Sequence, residues 1–462
     1  MPGPVVQSKP HTSATPASAG VRSRSRLVTG LVLAGFAAAC ITLVESVVTR
    51  ARAADGVVAP EHVTPGSATG TPAERRIASA RTAIDLNPKR VSGWNELALA
   101  LARRARETSD PAYYKEAWHA TEQALSIDAR DLEAKKLQIW ILLGQHEFAR
   151  AVTAAEALNT QVPDDVLTYG FLVDGYTQLG RYADAEKAAQ WMLDMRPGNV
   201  PALTRAAHLR ELFGDHEGAV ELMDTSYRRT AEAEVEDRAW ILTQMAHLST
   251  LTCRTDAAER FLAEALRLFP DYHYALAQLA EVRTLQGRLN DAVSLRERHV
   301  ERAPHPENRY ELGVALARAG KTREAEAAWT AFERAAVAES SNWDSANVEL
   351  TYYYADHAGR PADALALARR EAARRQDVRT LEAYAWALYR NGQATTARTE
   401  IDKVLAVGVA QPETFARAAA IAAAQGDSAH ARQWAERSVS MCAASRAAAE
   451  SRAVLNQLRA AE

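Results

Sequence analysis

The chain has 462 residues, more than one compact core usually organises, although a repeat protein has no such ceiling. It is rich in Ala, Leu, Arg and Glu and lacks long alternating runs of Val or Ile, which favours an all-α fold. Residues 1–54 contain six Lys and Arg residues against one Glu, so the remainder has 49 basic and 57 acidic residues and a net charge of −8. Because this balance leaves no basic excess to neutralise phosphates, we predict that the protein does not bind nucleic acid.

The amino end carries a tail and then an apolar segment. Residues 1–26 are rich in Pro, Ser, Thr and Gly and contain no acidic residue, so we predict a disordered tail. Residues 27–48 include the uncharged, mainly apolar run from Leu27 to Val44. A run of about 18 residues is the lower edge of a membrane span and is longer than a usual signal-peptide apolar region. We therefore expect a signal anchor or a signal peptide, and a membrane contact through residues 27–48 if they are not cleaved.

Other features near this segment leave its processing and orientation open. Ala51-Arg52-Ala53 offers a small-x-small cleavage site. Cys40 follows three alanines and faintly resembles a lipoprotein cysteine, but the apolar run continues beyond it. Arginines before the segment favour a cytoplasmic amino end, which predicts an anchored protein with its repeats outside the cytoplasm, or an exported one. Arg50 and Arg52, after the segment, act against that rule, so a cytoplasmic orientation stays open.

Residues 49–71 carry prolines, glycines, a serine and threonines without a helical period, and we predict a linker. Pro72 then suits the first turn of a helix, where a missing N–H has no cost. The segment from Ala73 to Leu86 has the pattern of the second half of a repeat. We expect it to cap the structure that follows.

A 34-residue period runs through residues 72–442 and is clearest between Pro163 and Pro197, where the sequence is P-x5-Y-x2-L-V-x2-Y-x3-G-x-Y-x2-A-x3-A-x7-P. In this unit Leu172, Val173 and Tyr176 share one helix face, and Gly180 ends that helix. A second helix follows with small alanines on its inner face. Pro270 and Pro304 have the same separation.

This pattern resembles the tetratricopeptide repeat (TPR) family. Trp94-x2-Leu97-Ala98-x2-Leu101 is similar to the family's opening motif, with alanine and leucine in place of glycine and tyrosine. The resemblance implies an all-α, right-handed α-solenoid of about ten helix-turn-helix repeats over residues 72–442. Residues 443–462 would form a C-terminal capping helix. We expect Glu107 to Tyr114 to form an enlarged turn.

The sequence contains no nucleotide-binding, hydrolase or C-x-x-C motif. His146-Glu147 and His216-Glu217 begin like a zinc-protease helix, but neither has the second histidine. We therefore predict no enzyme activity, no cofactor and no metal site. The three cysteines are far apart and odd in number, so we expect no disulfide framework and interpret Cys253 and Cys442 as small packing residues.

In the TPR family the first helix of each unit lines a concave face. Carrying the register over assigns twelve residues to that face as a partner-binding surface: Asn95, Lys136, Trp140, Asp174, His208, Trp240, His247, Tyr274, Tyr310, Tyr353, Trp386 and Tyr389. Many are aromatic, as in surfaces that anchor peptides. A register error of one residue would instead place several of them between helices.

The resemblance thus implies a non-enzymatic scaffold, tethered to or exported across a membrane, that binds a protein or peptide partner on its concave face. One alternative is a soluble exported TPR subunit of an envelope or secretion assembly. Another is a TPR protein that binds a small ligand or a glycan.

Overall fold

The computed structural model describes residues 70–342 and 345–461, and this part of the chain contains 22 α-helices and no β-strand. Helix α1 spans Pro72–Leu86. Ten helix hairpins follow it in sequence. The first five pair α2 (Val91–Thr108) with α3 (Ala112–Ile127), α4 (Leu132–Gly144) with α5 (Phe148–Gln161), α6 (Val166–Gln178) with α7 (Tyr182–Met195), α8 (Val200–Glu211) with α9 (His216–Arg229), and α10 (Val235–Leu251) with α11 (Thr255–Leu268).

The other five hairpins complete the described chain together with a last helix, α22 (Arg446–Ala461). They pair α12 (His273–Leu285) with α13 (Leu289–Arg302), α14 (Pro306–Arg318) with α15 (Thr322–Glu339), α16 (Asn347–Asp356) with α17 (Pro361–Arg374), α18 (Val378–Arg390) with α19 (Ala394–Val407), and α20 (Pro412–Ala424) with α21 (Ser428–Met441). The prediction of an all-α solenoid of about ten hairpins is confirmed.

Each hairpin reverses at one residue with a positive φ. These residues are Ser109, His146, Gly180, Gly214, Cys253, Gly287, Gly320, Gly359, Gly392 and Gly426. Glycine adopts this left-handed conformation without steric cost, which explains its use at seven of the ten turns. The turn residue recurs about every 34 residues, so the period found in the sequence is the spacing of these reversals.

Small side chains allow the helices to approach closely. Ala98, Ala151, Ala185 and Ala219 are fully buried, each at an interhelical contact. The two helices of a hairpin pack on each other, and each second helix also packs on the first helix of the next hairpin. The core is therefore a continuous series of neighbour contacts, with α1 covering the first hairpin and α22 the last.

Helix α1 begins as its sequence suggests, because Thr71 and Glu74 form a reciprocal capping box around Pro72. The expected enlarged turn from Glu107 to Tyr114 is wrong. Helix α2 continues to Thr108, and the Asp110 carboxylate accepts the Ala112 N–H at 2.9 Å at the start of α3. The extra residues therefore lengthen two helices.

The predicted tail (1–26), the apolar segment (27–48) and most of the predicted linker (49–71) lie outside the described residues. Among residues 70–342 and 345–461, no helix combines the length and apolar character required to cross a bilayer.

Candidate functional site

The polar residues assigned to the concave face pair with the neighbouring unit. Asn95 Nδ2 donates to an Asp131 carboxylate oxygen at 2.8 Å, and Lys136 Nζ lies 2.9 Å from Asp165 Oδ2. Each pair joins residues about one repeat apart. These side chains therefore hold successive first helices together.

The most deeply buried of these pairs joins α6 to α8. Asp174 is 1% exposed and Arg205 is 2% exposed. Arg205 Nε donates to Asp174 Oδ1 at 2.8 Å and also lies 2.9 Å from the Gly170 carbonyl oxygen. Charges so far from water persist only when they are paired and hydrogen-bonded, as they are here.

His208 and His247 meet on one carboxylate. Glu211, at the end of α8, is buried, with His247 Nε2 at 2.9 Å from Oε1 and His208 Nδ1 at 3.7 Å from Oε2. Burial opposes ionisation of Glu211, but the two imidazoles hold the pKa of its carboxyl below the ordinary value. This cluster also belongs to the packing between units.

Three of the assigned aromatic residues lie in the core. Trp140 is 2% exposed, and Trp240 and Tyr310 are each 6% exposed. The indole N–H groups of Trp140 and Trp240 find no acceptor among the described residues. Since neither indole is presented to solvent, these side chains fit the alternative of packing between helices. Their binding role stays an untested prediction.

Tyr274 occupies a contact between distant units. Its ring lies 3.9 Å from that of His273 and 5.3 Å from that of Tyr272, measured between centroids. Nearby, His273 Nε2 lies 3.0 Å from the carbonyl oxygen of Arg106 on α2. The start of α12 is therefore packed against the first hairpin.

The remaining three assigned residues, Tyr353, Trp386 and Tyr389, stay partly exposed and pack against the same core cluster. They join Trp329 and His357 in what we call the aromatic strip. The Trp329 and His357 rings stack at 4.1 Å, the Trp329 and Tyr353 rings lie 6.3 Å apart, and the Trp386 and Tyr389 rings lie 5.0 Å apart. The strip thus spans three successive hairpins.

Two charged residues connect the halves of the aromatic strip. Asp356, next to His357, accepts the Trp386 indole N–H at 3.0 Å and pairs with Arg390 Nη1 at 2.8 Å. The Arg390 guanidinium lies 5.9 Å from the centre of the Trp386 ring. Asp356 and Arg390 are exposed, so the strip combines apolar rings with a polar border.

The sequence argument missed Trp329 and His357 as parts of this surface. Trp329 lies on the second helix of its hairpin, where the family register expects packing, and its indole rests against the backbone of Gly313 on α14. Only a glycine at position 313 lets the indole lie so close. The pairing of Gly313 with Trp329 was therefore the one feature of the sequence that could have indicated the position of this ring. His357 follows α16 and has no marking pattern.

No group of three or more metal-ligating side chains capable of holding an ion occurs among the described residues. A small cavity of about 10 Å³ is lined by His146, Phe148, Leu179, Arg374 and Arg375, among others. A cavity of this size accommodates one water molecule at most.

Cys253 and Cys442 form a disulfide, with 4.9 Å between their Cα atoms. The expectation that both are packing residues without a disulfide is wrong. Their 189-residue separation hides the pairing in the sequence, because only the coiling of the whole solenoid brings them together.

Ten consecutive hairpins of near-constant length, each reversed by one positive-φ residue and packed through alanines, decide the fold. The chain is a TPR-like solenoid. No family model matches the chain, and no curated protein matches it in sequence.

Solved structures are similar to this TPR-like chain at low sequence identity. The APC/C hetero-tetramer Cut9–Hcn1 matches with 13% identity over 83% of this chain and 58% of that chain, at a TM-score of 0.42. A human IFIT1 dimer with PPP-AAAA matches with 14% identity over 79% and 86%, at 0.46. PilW, a type IV pilus biogenesis factor, matches with 17% identity over 43% and 91%, at 0.37.

Proposed function

We propose that this TPR-like protein is a protein-interaction scaffold, tethered to or exported across a membrane, that binds a peptide segment of a partner on the aromatic strip. The observation that carries the proposal is the strip itself, which spans three hairpins. The Trp329 ring contacts those of His357 and Tyr353, the Trp386 and Tyr389 rings form a second group, and Asp356 connects the two groups. Rigid aromatic side chains offer large apolar area at a small cost in conformational entropy, and they are enriched among the residues that dominate binding energy.

The position of the aromatic strip supports access by a partner. The turns beside it are those at Gly359 and Gly392. No described atom outside the local chain lies within 4 Å of a Cβ built at either glycine. Asp356 and Arg390 border the rings and supply an acceptor and donors for the backbone of an extended peptide.

The disulfide supports the export part of the proposal. Disulfides such as Cys253–Cys442 persist in oxidising compartments and are rare in the cytosol. This agrees with the apolar segment and the arginines that precede it, which favour repeats outside the cytoplasm. The negative charge of the repeat region is the reason to propose a peptide rather than a nucleic acid as ligand.

The test uses a random-peptide library displayed on phage, selected against the full chain. We expect enriched peptides that bind the protein, and we expect Trp386→Ala to weaken that binding about 30-fold, equivalent to losing about 2 kcal/mol at a hot spot. Titration calorimetry with the synthetic peptides measures the change.

The matched control is Trp118→Ala on α3. Trp118 is also partly exposed and its indole N–H donates to Glu122 at 3.0 Å, but it lies away from the strip. We expect this variant to bind the peptides as the unmodified protein does. Peptides that bind both variants equally well, or no enriched peptide at all, would show that the strip is not a peptide site.

A further inference from the structure

The solenoid closes on itself along a line that we call the seam. The turns of four consecutive hairpins, at residues 146–149, 179–182, 213–214 and 253, meet residues of the last hairpins. On the other side of the seam lie residues 371–378 before and at the start of α18, residues 408–410 before α20, and Cys442 before α22. The seam therefore joins units that are more than 180 residues apart in sequence.

The contacts across the seam are close. Val378 N–H donates to the Tyr182 hydroxyl at 2.9 Å. A Cβ built on Gly180 would lie 2.5 Å from the Gln376 carbonyl oxygen. A Cβ on Gly214 would lie 3.1 Å from that of Ala410, so the backbones approach without room for a side chain.

The turns outside the seam differ. At Gly287, Gly320, Gly359, Gly392 and Gly426, no described atom outside the local chain lies within 4 Å of an added Cβ. These five turns thus lack the close approach that the seam turns show, although they share the same repeat position. One small cavity at the seam holds a water at most and is bordered by charged Glu371, Arg374 and Arg375.

Cys253 is placed at the seam in a conformation that disfavours it. It occupies the turn position that seven other hairpins give to glycine, and its φ is 58°. A residue with a Cβ is sterically disfavoured in the left-handed conformation. Its sulfur nevertheless reaches Cys442 at the last junction of the seam. Cys253, whose backbone conformation is unfavourable for a cysteine, is thus the residue that crosslinks the two sides of the seam.

We propose that the Cys253–Cys442 bond is a redox latch: oxidation holds the superhelix closed along the seam, and reduction by a dithiol opens it. This inference is independent of the aromatic strip. Because each unit of a solenoid is held by its sequence neighbours, the units themselves stay folded when the latch opens. What is lost is the enforced proximity of the seam surfaces.

The chemistry is thiol–disulfide exchange. Cys253 is partly exposed and Cys442 is buried, so a dithiol thiolate attacks the Cys253 sulfur and displaces the Cys442 thiolate, which takes up a proton. The second thiolate of the dithiol then attacks the dithiol sulfur that is bonded to Cys253 in the mixed disulfide. This step releases the Cys253 thiolate, which also takes up a proton. The dithiol becomes a disulfide, and the protein gains two thiols and two electrons. Closing runs in reverse with a disulfide oxidant.

The test measures amide hydrogen exchange by mass spectrometry on the full chain carrying Cys40→Ser, oxidised and after dithiothreitol treatment. Thiol titration first counts free cysteines, with none expected before reduction and two after. On reduction we expect exchange about tenfold faster at the Val378 amide and in peptides covering 406–412 and 442–447. Peptides at the free turns of Gly287 and Gly320 should not change.

Cys253→Gly is the matched variant, since it removes the latch while restoring the residue that the turn favours. It should show the fast seam exchange without reductant and no further change with it. Three results would overturn the proposal. These are free thiols in the untreated protein, unchanged seam exchange after reduction, or equal acceleration along the whole chain, which would make the bond a general stabiliser.

Discussion

Replacing Asp174 by alanine tests whether this residue of the assigned concave face stabilises the fold or binds a partner. The Asp174 carboxylate is the buried partner of Arg205, and both side chains are shielded from water. In the variant, Arg205 keeps the carbonyl oxygens of Gly170 and Pro201 at 2.9 and 3.1 Å, but its charge is no longer balanced by Asp174. Removing one partner of a buried ion pair costs about 3–5 kcal/mol, and we expect that loss.

The assay is urea unfolding followed by the helical circular dichroism signal, together with hydrogen exchange. A solenoid of ten hairpins need not unfold in one step, so exchange is needed to locate the loss, which we expect in α6 and α8. The control removes both charges, as Asp174→Leu with Arg205→Met. Because no unpaired charge remains, this double variant should regain most of the stability.

The result that would refute this reasoning is a small effect of Asp174→Ala. A change in unfolding free energy below about 1 kcal/mol would be typical of an exposed pair and would contradict the burial of both side chains. Loss of peptide binding at full stability would likewise return Asp174 to the partner-binding surface.

Three further predictions follow from the same structure. Trp140→Ala should cost about 3–5 kcal/mol of folding free energy, whereas Trp386→Ala should leave the melting curve nearly unchanged, and equal shifts in thermal unfolding would contradict the difference in burial. Burial holds the pKa of His273 at about 4, below the ordinary 6.5, so the folded protein keeps it neutral where the unfolded chain takes up a proton. Stability should therefore fall as the pH drops from about 6.5 to about 4, by about 3 kcal/mol in total, and urea titrations of a His273→Gln variant should show a flatter pH dependence. Deleting residues 443–462 should expose the last hairpin and accelerate hydrogen exchange mainly in α20 and α21, whereas uniform acceleration would contradict nearest-neighbour stacking.

The hairpin architecture could be predicted because its causes are local. Gly180 at a positive φ, Pro197 after α7 and the buried Ala185 act within one repeat length, and the chain repeats the same solution. The turn at Cys253 also has a positive φ although it lacks glycine, so the repeat spacing could be recognised there as well.

The inner face could be predicted only in part. Trp140 and Trp386 both lie on first helices, yet one is buried and the other is partly exposed. One residue turns the side chain by about 100° around a helix, so the family register alone does not separate groove from core. The cross-unit partners Arg205 and Glu211 were not predicted either, because they depend on how adjacent hairpins stack.

The seam could not be predicted at all. Its contacts, including Cys253–Cys442 and Tyr182–Val378, depend on small rotations between units that add up over half of the described chain. No local pattern encodes that sum. For the same reason, the number and spacing of the cysteines in the sequence led to the wrong expectation that Cys253 and Cys442 are not disulfide-bonded.

The most direct test of the account is photo-crosslinking from the aromatic strip. We would place benzoylphenylalanine at Tyr389 and, as a control, at Trp118, a partly exposed residue of α3 away from the strip, and irradiate each protein with a peptide selected from the library. A peptide bound on the strip should crosslink from position 389 and not from position 118. Equal yields from both positions, or crosslinks from 118 alone, would contradict the assignment of the strip as the partner-binding surface.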